Sequence, residues 1–242
     1  MPDPQTAPVM EPFQPGLRRF DLSYGLVLAL LVAALIMSAG AEHRFWRLLM
    51  TATLLAAVIL TYRTALESQR AKRILTAISV PLAIIAAASI SESSRLNPWV
   101  ATLALVALLA GLPLLILHDI LIKHLRVTLE TILGALCVYI SVGFMAAFAF
   151  GFIGDISNEP FFTQGPGVDL GGFFYFSFVT ITTLGYGDLT PALGIGRQLA
   201  VLEAIVGQVY LVTLVARLVA MFRTERPEVP DLRKQRKPSP QS

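Results

Sequence analysis

Charged residues are scarce in this chain. Asp, Glu, Lys and Arg make up 14% of its 242 residues, while apolar residues make up 55% and the mean hydropathy is +0.68. Soluble domains carry about 25% charged residues, so this composition indicates an integral membrane protein. The net charge of +3 is too small to indicate a nucleic-acid partner.

Cysteine is nearly absent as well. Cys137 is the one cysteine in the sequence, and it lies inside an apolar run. A single thiol excludes a disulfide framework within the chain and a metal site built from several cysteines. Nothing in the sequence indicates an enzyme, and we expect no cofactor.

Long apolar runs are abundant. Six runs of about membrane-spanning length cover residues 22–40, 46–62, 74–91, 98–118, 130–153 and 198–222. They predict an all-α integral membrane protein with six transmembrane helices. Residues 1–20, rich in proline at their start, and the basic residues 223–242 read as disordered tails.

The distribution of basic residues predicts the orientation in the membrane. With both termini cytoplasmic, the outside holds only Arg44, Arg47, Arg95 and Arg197, Arg217 lies in the last helix, and the other Lys and Arg are inside. This bias follows the positive-inside rule and indicates a multi-pass protein of the cell membrane. An alternative stays open for the first helix, since Ala39-Gly40-Ala41 also resembles the end of a cleaved signal peptide.

The stretch between the fifth and sixth runs, Tyr175 to Pro191, reads YFSFVTITTLGYGDLTP. A site for a dehydrated cation needs successive backbone carbonyls turned toward one axis, so that they replace the ion's water shell. Adjacent carbonyls of a strand point to opposite sides, and the chain therefore needs residues that reach left-handed dihedrals. Gly185 and Gly187 supply that freedom at alternate positions.

The segment TTLGYGD, Thr182 to Asp188, resembles the selectivity filter of potassium channels, whose usual core is Thr-Val-Gly-Tyr-Gly. Leu184 stands where valine is commoner. The resemblance implies a filter of Thr183, Leu184, Gly185, Tyr186 and Gly187. Potassium would be bound by the carbonyls of Thr183 to Tyr186 and by the Thr183 hydroxyl.

Residues 127–222 resemble the outer helix, pore loop and inner helix of the same family, and we predict a pore domain there. Residues Gly171 to Thr182 read as a short re-entrant pore helix before the filter, between helices 5 and 6. Residues 21–126 form a predicted four-helix transmembrane domain and linker. Its fourth run, 98–117, carries none of the arginines of voltage-sensor helices.

Filter support is predicted at Thr182, Asp188, Tyr175 and Glu203. In the family, the aspartate after the filter is tied back to the pore helix. The family's partner positions fall here on Tyr175 and Val179, and valine cannot share a proton. Tyr175 is therefore the expected donor to Asp188, and the carboxyl pair of some relatives is missing.

Two residues of the last helix are expected to act behind the filter. Gly207 matches the inner-helix glycine often treated as a hinge in the family, with close packing against the pore helix as the alternative. Glu203, an acid inside an apolar helix, is a functional candidate. We expect it to hydrogen-bond behind the filter, or else to reach an outer water pocket. The predicted cavity face is Gln208, Leu211, Val212 and Val215.

These features predict a potassium-selective channel subunit that conducts passively and is not strongly voltage-gated. One loop supplies a quarter of a carbonyl ring, so we expect a homotetramer. The expected surroundings are the lipid bilayer, with anionic headgroups possible partners of the basic C-terminal tail. Two alternatives stay open, namely a weakly selective cation channel, favoured slightly by Leu184, and a non-conducting membrane scaffold or regulatory subunit.

Overall fold

The computed structural model describes residues 21–65 and 129–224, together with 77, 81, 106–107, 109–111 and 113–114. Over these residues the chain is all-α, as predicted, and no strand occurs among them. The tails, most of the third and fourth predicted helices, and the linker to residue 128 lie outside the described residues.

Five helices are described. They are α1 (Asp21–Ser38), α2 (Arg44–Ala65), α3 (Leu129–Ile156), α4 (Leu170–Ile181) and α5 (Gly194–Thr224). Three segments of the described chain are long and apolar enough to cross a membrane, and they are Arg44–Arg63, Ile132–Ile156 and Gly194–Ala216. Tyr24–Ser38 and Leu170–Ile181 are shorter apolar helices.

Helices α1 and α2 form an antiparallel hairpin. The chain turns at Gly40, where an added Cβ would lie 2.9 Å from the Trp46 indole, so the tight approach of the two helices needs glycine. Leu31 and Ala34 of α1 and Leu54 of α2 are fully buried in the shared core. Thr51 and Thr61 donate to carbonyls one turn earlier, which satisfies their hydroxyls inside an apolar helix.

Helix α4 is the element that positions the glycine-rich loop. Its twelve residues rise about 18 Å, too little to cross the hydrocarbon core of a bilayer. Asp169 caps its N-terminus, where Oδ1 accepts from the Gly172 amide at 3.1 Å, and Thr182 caps its C-terminus. The predicted bounds, Gly171 to Thr182, differ by one residue at each end.

Aromatic side chains fix α4 between α3 and the loops at its ends. Phe144 and Phe148 of α3 pack edge-to-face on Phe174 of α4 and join the core that α3 shares with α1 and α2. On the other side of α4, Phe176 packs on Phe150 and Phe162 in a second cluster. Both faces of the short helix are thereby held in place.

Candidate functional site

The backbone after α4 alternates in handedness. The φ angle is 60° at Thr183, 56° at Gly185 and 78° at Gly187, while Leu184 and Tyr186 lack a positive φ. Such alternation turns successive carbonyls toward the same side, which a strand does not do. The sequence pointed to Gly185 and Gly187. The positive φ of Thr183 was missed, because a β-branched residue rarely adopts it.

Hydrogen bonds attach this loop to the end of α4. The Thr183 amide donates to Thr180 O at 2.9 Å, and the amides of Leu184 and Gly185 donate to Val179 O at 2.9 and 3.3 Å. The Thr182 hydroxyl donates to Phe178 O at 2.5 Å. The last carbonyls of a helix have no hydrogen-bond partner within the helix. The amides of the loop provide partners for these carbonyls of α4, and the same hydrogen bonds hold the loop in position.

The end of the loop farther from α4 in the sequence is held by Asp188. Tyr175 of α4 donates its hydroxyl to Asp188 Oδ2 at 2.7 Å, the pair that the sequence led us to expect, and the Leu189 amide donates to Oδ1 at 3.0 Å. The hydrogen bond from Tyr175 lowers the pKa of Asp188 below its ordinary value. The carboxylate therefore stays charged, and stays bonded, to a lower pH than a free aspartate.

Beyond Asp188 the chain is bridged to the segment that precedes α4. Phe162 and Pro191 form an isolated antiparallel bridge, and the Thr163 amide donates to Thr190 O at 2.9 Å. Arg197 of α5 donates from Nε to Pro191 O at 2.9 Å. These contacts attach the end of the loop that follows Asp188 to the segment before α4 and to α5.

The C-terminal end of α4 is held between α3 and α5. Tyr139 of α3 donates to Ile181 O at 2.8 Å, and its ring stacks on Tyr210 of α5 with centroids 6.2 Å apart. Gly207 of α5 lies against the same residue, since a Cβ there would be 2.6 Å from Ile181 Cγ1 and 2.9 Å from Ile181 O. Helix α5 is continuous through Gly207. Of the two roles considered for this glycine, the geometry favours close packing.

Glu203 is 6% exposed and lies behind the loop, on the side of α5 that faces α4. Its Oε1 is 2.5 Å from the hydroxyl of the fully buried Ser177, and that hydroxyl is also 2.7 Å from Gly143 O of α3. Glu203 thus makes the hydrogen bond expected behind the loop and does not reach water at the surface.

The opposite side of the loop is open in the single chain. Leu184 is 56% exposed and Tyr186 is 66% exposed. Along α5, Gln208, Val212 and Val215 of the predicted cavity face are exposed, and Leu211 is half-buried. Apolar exposure on this scale marks a surface made for contact with other molecules.

Sequence reasoning missed two side chains of this arrangement, Tyr139 and Ser177. They were missed because each has a common alternative role. A tyrosine in an apolar helix can serve only in packing, and the hydroxyl of a serine there can donate to a carbonyl of its own helix, as Ser141 does to Cys137 O at 2.7 Å. Within the described ranges, no three His, Cys, Asp or Glu side chains are grouped as a metal site.

Comparison with known proteins yields matches to the second half of the chain and to short segments. A family model described as an ion channel matches residues 126–224. A probable potassium channel protein of Methanocaldococcus jannaschii is 46% identical over 62 residues, which are 24% of this chain and 18% of that protein. Protein LctB of Bacillus caldotenax is 44% identical over 45 residues, 19% of this chain and 33% of its own. The alignments thus span a third or less of these relatives.

Proposed function

We propose that this chain is a subunit of a potassium-selective channel of the cell membrane, and the match of residues 126–224 to the ion channel family model supports this proposal. Its activity is passive movement of potassium along the electrochemical gradient. The probable potassium channel protein of Methanocaldococcus jannaschii, similar over 62 residues, supports this proposal.

The alternating backbone of residues 183–187 is the observation that carries it. Positive φ at Thr183, Gly185 and Gly187 supports a row of carbonyls facing one axis, the arrangement that replaces the hydration shell of a potassium ion. The proposed ligands are the carbonyls of Thr183, Leu184, Gly185 and Tyr186, with the Thr183 hydroxyl at the inner end. Leu184 contributes a carbonyl like any other residue there.

Helix α4 serves as a re-entrant pore helix in this proposal. It is too short to span, and irregular backbone at membrane depth is tolerated only where protein or water surrounds it. A helix carries partial negative charge at its C-terminal end, and α4 directs that end toward the base of the filter. The proposed orientation favours a cation in the inner cavity.

The functional unit we propose is a homotetramer in the lipid bilayer. One filter loop is a quarter of a closed carbonyl ring, and a fourfold axis completes the ring with identical subunits. The exposed Leu184 and Tyr186, and the exposed valines of α5, support burial against copies of the same chain. Gln208, Leu211, Val212 and Val215 would line or approach the cavity below the filter.

For the rest of the topology, the proposal is the arrangement predicted from the sequence. We propose six spanning helices, with residues 21–126 forming a first domain without sensor charges and residues 127–222 forming the pore domain. Both termini are placed in the cytoplasm, and the basic tail 223–242 is placed near anionic headgroups. The described helices α2, α3 and α5 are the three that are long enough to span.

Gly185→Ala tests the filter assignment. At a φ of 56° a methyl group meets the backbone at a cost of about 1–2 kcal/mol, so we expect loss of selective potassium flux into liposomes with the tetramer still assembled in a crosslinking assay. Gly165→Ala is the matched control, because Gly165 has a φ of 95° and open space around it but lies outside the filter.

The two variants separate local from general effects. Loss of flux in Gly185→Ala with normal flux in Gly165→Ala supports the filter. Undiminished selective flux in Gly185→Ala overturns the assignment. A reversal potential near zero for the wild type would favour the weakly selective cation channel, and absence of current would favour the scaffold.

A further inference from the structure

Glu203 lies where three helices meet behind the filter. The hydroxyl of Ser177 on α4 is 2.5 Å from Glu203 Oε1 on α5 and 2.7 Å from Gly143 O on α3. Both side chains are buried. This one hydroxyl therefore connects the outer, pore and inner helices of the pore domain.

The two hydrogen bonds of the Ser177 hydroxyl indicate whether the Glu203 carboxyl group carries a proton. Ser177 has one hydroxyl proton and two oxygen neighbours within hydrogen-bond distance. The Gly143 carbonyl only accepts, so both contacts are satisfied when Ser177 donates to Gly143 O and Glu203 donates to Ser177 Oγ. A carboxylate cannot donate. Both short contacts of this hydroxyl are therefore full hydrogen bonds only when Glu203 is neutral and donates its proton.

The surroundings of Glu203 support the same assignment. No lysine or arginine is paired with it among the described residues, and its Oε2 is buried without a hydrogen-bond partner there. It borders an apolar crevice of about 210 Å³ between α3 and α5. The other residues that line this crevice are apolar, among them Val142 and Met145 of α3 and Leu202 and Val206 of α5. A buried carboxylate needs compensating partners, and this crevice offers none.

The titratable groups that face Glu203 are few. From α3, Tyr139 is close enough for its phenol to interact electrostatically with the carboxyl group. From α4, the facing polar group is the Ser177 hydroxyl, which does not titrate in the accessible range. From α5 itself, the neighbours that line the crevice are apolar. A response to pH in this part of the described structure thus belongs to Glu203 or to Tyr139.

The contact is two residues from the point where α4 holds the filter. Ser177 precedes Val179, whose carbonyl accepts the amides of Leu184 and Gly185. Four residues after Glu203, Gly207 lies against Ile181 at the end of α4. A shift of α4 relative to α5 at Ser177 therefore reaches the filter backbone directly.

We propose that Glu203 is protonated in the conducting channel and positions the filter through Ser177, and that loss of this proton releases α4 and stops conduction. This inference rests on the proposed function as a potassium channel. In the ionised state, Ser177 can satisfy either the carboxylate or Gly143 O but not both. The three-helix junction then separates, and the filter loses its support from behind.

Potassium flux into liposomes as a function of pH tests the proposal. We expect wild-type flux to fall about tenfold or more per pH unit above the ionisation midpoint, because each subunit loses one proton. Glu203→Gln keeps a donor toward Ser177 and cannot ionise, so its flux should be independent of pH over the same range. Glu203→Leu keeps the volume and removes the donor, so its flux should be low at every pH.

Superimposable pH profiles of the wild type and Glu203→Gln overturn the proposal, since the response then belongs to another group such as Tyr139. Wild-type flux that does not change with pH overturns it as well. If Glu203→Gln fails to assemble, infrared spectra of the wild type decide. A protonated-carboxyl band that declines in step with the flux supports the proposal, and a band that is absent or constant while the flux falls contradicts it.

The same liposomes separate this inference from the channel assignment. Potassium-selective flux at low pH, with no role of Glu203 in its pH response, overturns this inference alone. Absence of selective flux at every pH overturns the proposed function and this inference with it.

Discussion

Gly207→Ala is the substitution with the most direct structural consequence, because Gly207 lies against Ile181, the last residue of α4. The new Cβ would lie 2.6 Å from Ile181 Cγ1 and 2.9 Å from Ile181 O. Ordinary carbon–carbon contacts are about 3.5–4.0 Å, so α4 and α5 must separate by roughly 1 Å. The carbonyl is backbone and cannot turn away as a side chain does.

The expected free-energy change follows from two opposing terms. Overpacking a well-filled site costs about 1–3 kcal/mol, and replacing a mid-helix glycine by alanine returns about 1 kcal/mol. The net loss is about 0–2 kcal/mol per subunit, plus about 1 kcal/mol if the displaced Ile181 carbonyl loses its hydrogen bond from Tyr139. Four subunits multiply this loss in the proposed tetramer.

The assay is the temperature at which the detergent-solubilised tetramer dissociates, read by gel filtration, together with potassium flux. Gly151→Ala is the matched control, since Gly151 is a mid-helix glycine of α3 with no atom within 4 Å of an added Cβ. We expect Gly207→Ala to lower the dissociation temperature and the flux, and Gly151→Ala to leave both unchanged or slightly raised. Equal stability of the two variants would refute the packing argument, and changed open probability at unchanged stability would favour a hinge.

Three further predictions concern the filter and its surroundings. Tyr175→Phe removes the donor that lowers the pKa of Asp188, so Asp188 should take up a proton at a higher external pH than in the wild type. In the wild type, the charged form of Asp188 is fully present above the ordinary pKa of aspartate and is lost as pH falls through the lowered pKa. Without the Tyr175 donor Asp188 loses its charge at a higher pH, so current should fail at a higher pH in Tyr175→Phe. Identical acid sensitivity of the two proteins would contradict this. Tyr139→Phe frees the Ile181 carbonyl and should lower tetramer stability by about 1 kcal/mol per subunit in thermal dissociation, whereas unchanged stability would show that this hydrogen bond does not hold α4. Current should depend weakly on voltage, because residues 98–117 carry no Lys or Arg. Steep gating moves about three to four charges per subunit through the membrane, each worth about 2.3 kcal/mol per 100 mV. A steep conductance–voltage curve would contradict the assignment of the first domain.

The resemblance to ion channels could be predicted from the sequence. The string Thr182 to Asp188 indicates left-handed backbone at Gly185 and Gly187 but not at Thr183, and the comparisons confirm the resemblance to potassium channels. The acid of Glu203 stood out because an ionisable group in an apolar helix is costly. The sequence also predicted its position relative to Gly207, because residues four apart in a helix lie about one turn apart on the same face.

The contacts that connect the helices could not be predicted. Ser177 and Tyr139 each have a common alternative, a bond within their own helix or simple packing, and only the three-dimensional arrangement shows that they bond to Gly143 O and Ile181 O. Gly207 is suited to bending and to close approach alike, so the sequence left its role open. The contact with Ile181 favours close packing, and it could not be predicted because it depends on where α4 ends.

The central claim is that residues 183–187 form a potassium-selective filter. The most direct measurement is the reversal potential of the reconstituted wild-type protein in a planar bilayer, with potassium on one side and sodium on the other. A tenfold permeability ratio shifts the potential by about 59 mV, and the account predicts at least this shift toward the potassium equilibrium potential. A current that reverses near zero would contradict it.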